Sequence, residues 1–338
     1  MDGEARDKAF LLVSGFRATQ MVRVVTELGV PDLLAGGPRS ADELATSSGV
    51  SPDLLLRLLR ALVALGVFVE TSDGHFSSTP ISEQFRDRPG SLRGMALALP
   101  DESYSAFAEL MHTLKTGEPA FDFLFGMSRW EHLAKNPDKA ALFNTFMQFG
   151  TEAVMAAVVS AYDFGGASSV VDVGGGRGTL LAAILKANQK LRGTLFDLEA
   201  GLAGADVYLE EQGVRNRSKI AIGSFFDGVP SGHDVYVLKY IVHDWNDDKA
   251  TAILTVCRRA MKDGAKLLLV ERMLPRRAED APSHRQTYLA DIQMMVLLGG
   301  RERTEEEFRA LLERAHLRLT RVIPTDSPAL HIVESVPV

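Results

Sequence analysis

Three residues in the C-terminal half of the chain are of the types that a proton-transfer site needs. His243 stands in Leu-Lys-Tyr-Ile-Val-His-Asp-Trp (238–245), Glu271 ends an apolar run, and Glu302 stands in Gly-Gly-Arg-Glu-Arg-Thr (299–304). An imidazole of pKa ~6.5 can accept a proton near neutral pH, and a carboxylate beside its ring N–H fixes the tautomer. Alone, the histidine could cap a helix and each glutamate could pair with a surface arginine. Together they predict a general base flanked by two acids.

A glycine-dense turn is the second chemical feature. Gly174, Gly175, Gly176 and Gly178 follow an apolar run and precede a helical pattern that begins at Thr179. Glycine lets the backbone adopt positive φ and lie directly against a ligand. About 20 residues further on, where a carboxylate can accept hydrogen bonds from ribose hydroxyls, Asp197 ends the next predicted strand. The two features predict a nucleoside cofactor, although Thr179 takes the last glycine position of the dinucleotide pattern G-x-G-x-x-G.

The elements that must position these residues read as alternating strands and helices from residue 168 onward. Predicted strands lie at Ser169–Val173, Gly193–Leu198, Lys219–Phe225, Asp234–Tyr240 and Ala265–Met273. This alternation predicts a parallel sheet with helices on both faces and a ligand beyond the carboxyl ends of its strands. After a predicted helix at Thr304–Ala315, the runs Leu317–Ile323 and Ala329–Val336 are too close in sequence for a parallel crossover. The sheet is therefore expected to end in an antiparallel pair.

The N-terminal part of the chain has a different pattern. Ser40 and Glu43 form a capping-box start, Ser51-Pro52 opens a leucine-rich helix, and Ser72-Asp73-Gly74 joins two short strands. Helix, helix and hairpin make a winged-helix layout, which serves either DNA binding or dimerisation. Because the leucines need cover and the net charge is negative, the sequence favours dimerisation. An apolar helical pattern from Lys8 to Leu28 needs a partner surface as well.

These patterns predict three segments: a winged-helix-like dimerisation domain at 1–90, a helical segment at 91–165, and a cofactor domain at 166–338. A chain of 338 residues exceeds what one hydrophobic core usually holds. The middle segment is rich in aromatic residues and methionine, and such side chains usually form core. Between a dimerisation domain and a cofactor domain, they also predict an apolar pocket for a flat substrate.

Composition argues against several classes of protein. A formal net charge of −7 and a pI of about 5.7 do not suit a surface that neutralises nucleic-acid phosphates. No uninterrupted apolar run reaches the ~20 residues of a membrane span, and the N-terminus lacks the features of a secretion signal. Cys257 is the single cysteine, which excludes an internal disulfide. We therefore expect a cytoplasmic protein without a nucleic-acid or membrane partner.

Four segments together resemble the caffeate-type O-methyltransferases that use S-adenosylmethionine, and most closely the bacterial natural-product branch of that family. They are Val-Val-Asp-Val-Gly-Gly-Gly-Arg-Gly (170–178), the segments 238–245 and 299–304, and Val-Glu-Arg-Met-Leu-Pro (270–275). The N-terminal part and Thr116-Gly117-Glu118-Pro119 also look like the family. The resemblance implies a class I methyltransferase (Rossmann-like) sheet of seven strands with an antiparallel C-terminal hairpin, and a homodimer formed through the winged-helix domain.

The resemblance also implies roles for individual residues. His243 matches the general base, and Glu271 and Glu302 match the acids that orient it. The residues implied to bind S-adenosylmethionine are Asp172, Gly174, Gly176, Asp197, Leu198, Ser224, Phe225 and Lys239. The residues expected to line the acceptor pocket are Trp130, Phe143, Met147, Asp244, Met294 and Leu298. Many relatives carry Asp in place of Ser224, whose hydroxyl is a weaker acceptor for the adenine amine than a carboxylate.

The implied reaction is a methyl transfer that needs no metal. His243 removes a proton from an aromatic hydroxyl, whose oxygen attacks the sulfonium methyl and releases S-adenosylhomocysteine. Phenols have pKa values near ~10, so the base must generate the nucleophile locally. N-methylation and the hydroxylation or decarboxylation of a polyketide remain alternatives by analogy with the same fold, as do a nicotinamide dehydrogenase and a ligand-sensing DNA regulator. The sequence leaves the identity of the acceptor open.

Overall fold

The structure is a computed structural model that describes residues 3–88, 90–278, 282–327 and 329–338. It divides into two compact units, Met1–Ser105 and Ala106–Val338. The boundary falls inside the helical segment predicted at 91–165, and the division into three domains stays a prediction. Pro328, which belongs to the predicted connection between the last two strands, lies outside the described residues.

The first unit is mostly helical and carries a small antiparallel sheet. Its helices are α1 (Gly3–Glu27), α2 (Val30–Leu33), α3 (Ala41–Ser48), α4 (Pro52–Ala64) and α5 (Arg93–Ala98), with short helical turns at Leu34–Gly36, Ser82–Phe85 and Leu99–Ser103. Its strands are β1 (Arg39–Ser40), β2 (Phe68–Glu70) and β3 (His75–Ser78), in the order β1-β3-β2.

The winged-helix layout of this unit is confirmed. At the start of α3, the Glu43 N–H donates to the Ser40 hydroxyl at 3.2 Å, and the Ser40 N–H donates to the Glu43 carboxylate at 2.8 Å. On α4, one apolar stripe that includes Leu55, Leu59 and Leu62 is buried in the same core as the hairpin residues Phe68 and Phe76. The two helices and the hairpin therefore share a single hydrophobic core.

The second unit contains the main sheet, and the predicted fold class is confirmed. Its strands are β4 (Ser169–Val173), β5 (Arg192–Asp197), β6 (Ser218–Ile222), β7 (Val235–Lys239), β8 (Lys266–Arg272), β9 (Leu317–Pro324) and β10 (Leu330–Pro337). Their order is β6-β5-β4-β7-β8-β10-β9; the first five are parallel, and β10 is antiparallel to both β8 and β9.

Helices cover both faces of this sheet because successive strand residues are apolar on both sides. The helices of this unit are α7 (Leu110–Thr116), α8 (Ala120–Phe125), α9 (Arg129–Lys135), α10 (Pro137–Ala161), α11 (Thr179–Ala187), α12 (Ala205–Glu211), α13 (Asp247–Ala260), α14 (Pro282–Leu297) and α15 (Glu305–Arg314), while α6 (Tyr104–Ala108) spans the unit boundary. Residues of α6, α8 and α14 form a small core separate from the two cores of the sheet. Val170 packs with residues of α11 and α12, whereas its neighbour Val171 packs with residues of α13 and α15.

One strand ends earlier than its sequence pattern suggests. The third parallel strand was expected at Lys219–Phe225, but β6 ends at Ile222. The chain turns after Gly223: the N–H groups of Asp227 and Gly228 donate to the Ser224 carbonyl at 3.0 and 3.1 Å. This turn takes Ser224 and the residues after it out of the sheet.

Among the described residues, no single helix has both the length and the apolar composition of a membrane span. One pair of helical segments, 137–152 and 154–161, has the length and apolar composition of a membrane span only when the two segments, which meet at a bend, are combined.

Candidate active site

The order of the strands reverses at β4, which pairs with β5 on one side and β7 on the other. In an open parallel sheet, such a reversal leaves a crevice beyond the carboxyl ends of the strands, where ligands bind. A cavity of about 400 Å³ lies there, between the glycine turn after β4 and the segment after β7. The cavity therefore has the position that the alternating pattern predicts for a cofactor.

The structure brings most of the predicted site residues to this cavity. All eight residues predicted to bind cofactor lie in its wall: Asp172, Gly174, Gly176, Asp197, Leu198, Ser224, Phe225 and Lys239. Four residues of the predicted acceptor pocket do so as well: Trp130, Phe143, Met147 and Asp244. Met294 is buried in α14 and Leu298 packs beside Val296 and Leu297, so neither lies in this wall. Roles in binding for all of these residues stay predictions.

His243 lies behind the cavity wall, in a 3₁₀ turn formed by Val242–Asp244. Its side chain is 6 % exposed and is surrounded by carboxylates. Nδ1 lies 3.0 Å from Glu302 Oε1 and 3.8 Å from Glu271 Oε2, whereas Nε2 lies 3.3 Å from Asp244 Oδ1. The ring thus has one nitrogen toward the two predicted orienting acids and the other toward an acid in the cavity wall.

The two glutamates hold their positions through backbone hydrogen bonds. Glu271, at the end of β8, accepts the N–H groups of Ile241 and Val242 at 3.1 and 2.9 Å through Oε1. It therefore fixes the chain that carries His243 as well as facing its ring. Glu302 is tethered through its N–H, which donates to Asp291 at 2.8 Å, and both glutamates are fully buried.

The carboxylates change the acid–base behaviour of the histidine. Burial disfavours the imidazolium, but Glu302, Glu271 and Asp244 outweigh it and raise the pKa of His243 to about 9. Burial also raises the pKa of Asp244 to about 7, and the nearby His243 limits that rise. Perturbed titratable groups beside a cavity are typical of catalytic sites. One potential ligand atom from each of His243, Glu271 and Glu302 lies within 4.8 Å of the other two, a spacing that would also suit a metal ion. The metal-free reaction therefore stays a prediction.

Tyr240, which precedes the histidine turn, adopts φ 55°, a conformation that non-glycine residues rarely take. Its ring stacks on the His243 imidazole, with centroids 5.2 Å apart and planes 17° apart. Lys239 Nζ and the Arg272 guanidinium carbon lie 4.2 and 4.6 Å from the centroid of the Tyr240 ring. The strained residue therefore turns the chain out of β7 and supplies a surface for the imidazole. No sequence pattern indicates a positive φ at a tyrosine.

Gly300 brings a second loop against the histidine turn. A Cβ at this position would lie 2.5 Å from the Asp244 carbonyl carbon and closer still to the His243 carbonyl oxygen, which accepts the Arg301 N–H at 2.9 Å. Only a residue without a side chain allows this approach. The contact keeps Glu302, two residues later, beside the imidazole.

We expect Gly300→Ala to displace the His243–Asp244 peptide. Overpacking of this kind should lower the free energy of unfolding by about 1–3 kcal/mol, and misplacement of His243, the predicted base, should lower kcat at least about 10-fold. Urea unfolding and steady-state rates measure the two effects. Gly228→Ala is the matched control, since a Cβ there meets no atom within 4 Å and the residue is exposed. Equal behaviour of the two variants would contradict the proposed contact.

Aromatic side chains form one side of the cavity. Trp245 follows the His-Asp pair and packs edge-on against Phe226, with ring centroids 4.9 Å apart, and lies 6.1 Å from Trp130 in a stacked arrangement. Phe226 and Trp245 were not among the predicted site residues, although Trp245 belongs to the quoted segment 238–245. Its place in that segment was the available signal.

Comparison with known proteins gives a consistent result. Residues 107–318 match the model of the O-methyltransferase domain, and residues 10–87 match that of the O-methyltransferase dimerisation domain. The chain belongs to this O-methyltransferase family. The enzyme is 41 % identical to phenazine O-methyltransferase PhzM from Lysobacter antibioticus, covering 97 % of this chain and 95 % of that one. It is 38 % identical to O-demethylpuromycin-O-methyltransferase from Streptomyces alboniger, covering 99 % and 90 %.

A solved structure supports the cofactor assignment. The methyltransferase superposes with a TM-score of 0.84 and 34 % identity on an O-methyltransferase from neocarzinostatin biosynthesis, over 95 % of this chain and 96 % of that one. That protein was solved in complex with S-adenosylmethionine and 2-hydroxy-5-methyl naphthoic acid. The enzyme described here is an S-adenosylmethionine-dependent O-methyltransferase.

The residues of the cavity fit this cofactor. Asp197, which is predicted to bind the ribose, accepts the N–H groups of Gly176 and Leu198 at 2.8 and 2.7 Å, so its carboxylate is fixed at the end of β5. A Cβ on Gly176 would meet no atom closer than 4.0 Å, so the turn leaves open space above it. Asp172 Oδ2 is buried without a hydrogen-bond partner among the described residues, and burial raises the pKa of this carboxyl to about 7. A polar ligand would supply the missing partner.

Proposed function

We propose that the methyltransferase methylates a hydroxyl group of an aromatic natural-product intermediate, with His243 as the general base. One observation carries the proposal: a buried imidazole contacts Glu302 through Nδ1 while its Nε2 faces Asp244 in the cavity wall. When bound, S-adenosylmethionine supplies an electrophilic methyl group on a sulfonium. The chain's own task is then to generate and orient the attacking oxygen.

The geometry supports a defined proton path. In the neutral ring, Nδ1–H donates to Glu302, which leaves Nε2 as the acceptor. A hydroxyl that enters beside Asp244 gives its proton to Nε2, and the resulting imidazolium is stabilised by the carboxylates around it. The Arg272 guanidinium partly neutralises the negative charge of these carboxylates, since its Nη1 lies 3.6 Å from Glu302 Oε1.

The aromatic wall supports a flat acceptor. Trp130, Phe143 and Met147 lie on α9 and α10, and Trp245 faces them from the histidine turn. Flat rings pack well between aromatic side chains. The related enzymes named above act on a phenazine and on O-demethylpuromycin, and the structural neighbour holds a naphthoic acid. We infer an acceptor of the same chemical class, a phenolic polycycle or a substituted benzene.

The test of the proposal is a screen of hydroxylated phenazines, naphthoates and quinones with methyl-labelled S-adenosylmethionine. We expect label in a new methyl ether and a product that is heavier by one CH₂. Amino analogues of the same ring systems serve as controls. Transfer only to nitrogen, or a product heavier by one oxygen, would contradict O-methylation.

The pH profile of kcat/KM should follow the neutral form of His243. Because the carboxylates raise the pKa of this histidine to about 9, the rate should rise by about tenfold per pH unit up to that value. Glu302→Gln removes a negative charge beside Nδ1, so it should lower the pKa of His243 and move the profile to lower pH, with a smaller maximal rate. Stopped or continuous assays from pH 6 to about 10 measure both profiles. An unshifted or alkaline-shifted profile in the variant would argue against this role for Glu302.

We also propose a homodimer formed through the first unit. On α1, Leu12 and Val13 are 79 % and 81 % exposed, and Phe10, Leu11 and Phe16 are at least half exposed. Apolar side chains in such a row need cover from a partner surface. A cytoplasmic location is proposed with it, because the single cysteine, Cys257, is a buried free thiol.

Sedimentation of the full chain should therefore give a dimer. The double variant Leu12→Asp, Val13→Asp should sediment as a monomer, since two charges on the exposed row oppose its burial. Lys8→Asp is the control, because it introduces the same acidic side chain at an exposed position of the same helix that is already charged. A wild-type monomer, or a double variant that stays dimeric, would rule out this interface.

A further inference from the structure

Among the described residues of the cavity wall, two have basic side chains, Arg177 and Lys239. Their surroundings differ. Lys239 faces the charges of Asp172 and Glu271, and burial lowers the pKa of its ammonium to about 8 in spite of them. Arg177 forms no ion pair with an acid among the described residues. It belongs to the glycine turn itself, between Gly176 and Gly178.

The contacts of Arg177 with described residues are neutral ones. Its Nη1 donates to the Gln148 amide oxygen at 2.8 Å, and its guanidinium lies 5.6 Å from the Tyr208 ring. Its Nε is buried and has no hydrogen-bond partner among the described residues. Glu152, on the same helix as Gln148, accepts a hydrogen bond from the Gln148 amide at 2.9 Å. A buried donor needs an acceptor, and an anionic acceptor forms the strongest hydrogen bond with a permanent cation.

The first turn of α11 adds to this positive region. The helix begins at Thr179, two residues after Arg177, and both Thr179 and Leu180 lie in the cavity wall. N–H groups at a helix N-terminus have no partner within the helix and favour an anion. S-adenosylmethionine carries one anionic group, the carboxylate of its amino-acid end. Asp197, which repels anions, marks the ribose side of the same turn.

We propose that Arg177, oriented by Gln148, binds the carboxylate of S-adenosylmethionine and so selects for the amino-acid end of the cofactor. The arginine holds this end against the glycine turn while Asp197 holds the ribose. Gln148 belongs to α10, so the contact between Gln148 and Arg177 connects this helix to the glycine turn that would bind the cofactor carboxylate. The proposal rests on the cofactor assignment and on no feature of the acceptor.

Equilibrium calorimetry with S-adenosylmethionine and with decarboxylated S-adenosylmethionine tests the proposal without turnover. The second compound keeps the adenine, ribose, sulfonium and amine and lacks only the carboxylate. Arg177→Ala should raise the Kd of S-adenosylmethionine by about 10- to 100-fold, as expected for loss of a charge-assisted pair. The Kd of the decarboxylated compound should stay within about 2-fold of the wild-type value or fall. Gln148→Leu should show the same selectivity with a smaller loss, about 3- to 10-fold.

Arg192→Ala is the matched control, because this arginine is exposed at the start of β5 and outside the cavity wall. It should bind both compounds as the wild type does. Equal losses for the two compounds in Arg177→Ala would mean that the arginine only shapes the cavity, and would overturn the proposal. Unchanged affinity for S-adenosylmethionine would overturn it as well. Failure of the wild type to bind either compound would instead contradict the cofactor assignment.

Discussion

Replacement of His243 by alanine is expected to lower kcat by about 10²- to 10⁴-fold, the range typical for loss of a general base. The side chain is the only imidazole within reach of the carboxylates Glu271 and Glu302 among the described residues. A phenolic hydroxyl, with a pKa near ~10, is a poor nucleophile at neutral pH until its proton is removed. Without the ring, solvent must remove that proton at a site that is largely closed to it.

The Kd of S-adenosylmethionine should change little in this variant, because His243 lies behind the cavity wall rather than in it. Single-turnover rates with an identified acceptor and calorimetry with the cofactor measure the two quantities separately. Alanine leaves three buried carboxyl groups without their cation, so His243→Gln, which keeps a hydrogen-bond donor, is the second variant. His75→Ala in the hairpin of the first unit is the control. A folded His243 variant that kept the wild-type rate would disprove the base.

Replacement of Arg303 by alanine is expected to lower the free energy of unfolding by about 3–5 kcal/mol, because several buried groups lose their partner at once. This side chain is 1 % exposed. It donates to Asp247 at 2.8 Å, to the Val242 carbonyl at 3.0 Å and to the Trp245 carbonyl at 2.9 Å. Arg303 therefore binds the backbone on both sides of the His243 turn.

Urea unfolding of Arg303→Ala measures this effect, and kcat should fall with it because the turn loses its anchors. Arg303→Lys should recover only part of the loss, since one ammonium cannot reproduce the planar set of donors. Arg309→Ala is the control: this arginine is 46 % exposed and pairs with Glu305 on the same helix. Its removal should change stability by less than about 0.5 kcal/mol. A loss below about 1 kcal/mol for Arg303→Ala would show that the anchor matters little.

Much of the fold follows from local sequence patterns. The alternation of apolar runs and helical segments gave the parallel strands and the antiparallel pair, because the period of apolar residues and the length of each connection limit how strands can pair. The capping box at Ser40 and the turn at Gly74 gave the winged helix in the same way. The end of β6 was placed three residues too late, since Phe225 resembles a further apolar strand residue whereas the chain already turns after Gly223.

The residues of the site were predicted less completely than the elements of the fold. Residues in compact motifs, such as the glycine turn and Asp197, lie in the cavity wall together because consecutive parallel strands bring their ends to one edge. Trp245 and Arg177 also belong to quoted motifs, but nothing in a motif says which of its side chains face the ligand. The supporting contacts had no local signal at all: Arg303 bonds a carbonyl 61 residues away, and Tyr240 takes a strained φ.

The amino-acid sequence alone predicted the fold class and a nucleoside cofactor, and it marked His243, Glu271 and Glu302 as the candidate base and acids, since each prediction depends on residue types at fixed local spacing. Only the tertiary structure decided that His243 lies outside the cavity lining with Nε2 3.3 Å from Asp244 Oδ1, and that Gly300 and Arg303 hold the turn in place. These relations join residues from different strands and loops. They depend on close packing and on the hydrogen bonds of buried groups, which are set by the whole fold rather than by neighbours along the chain.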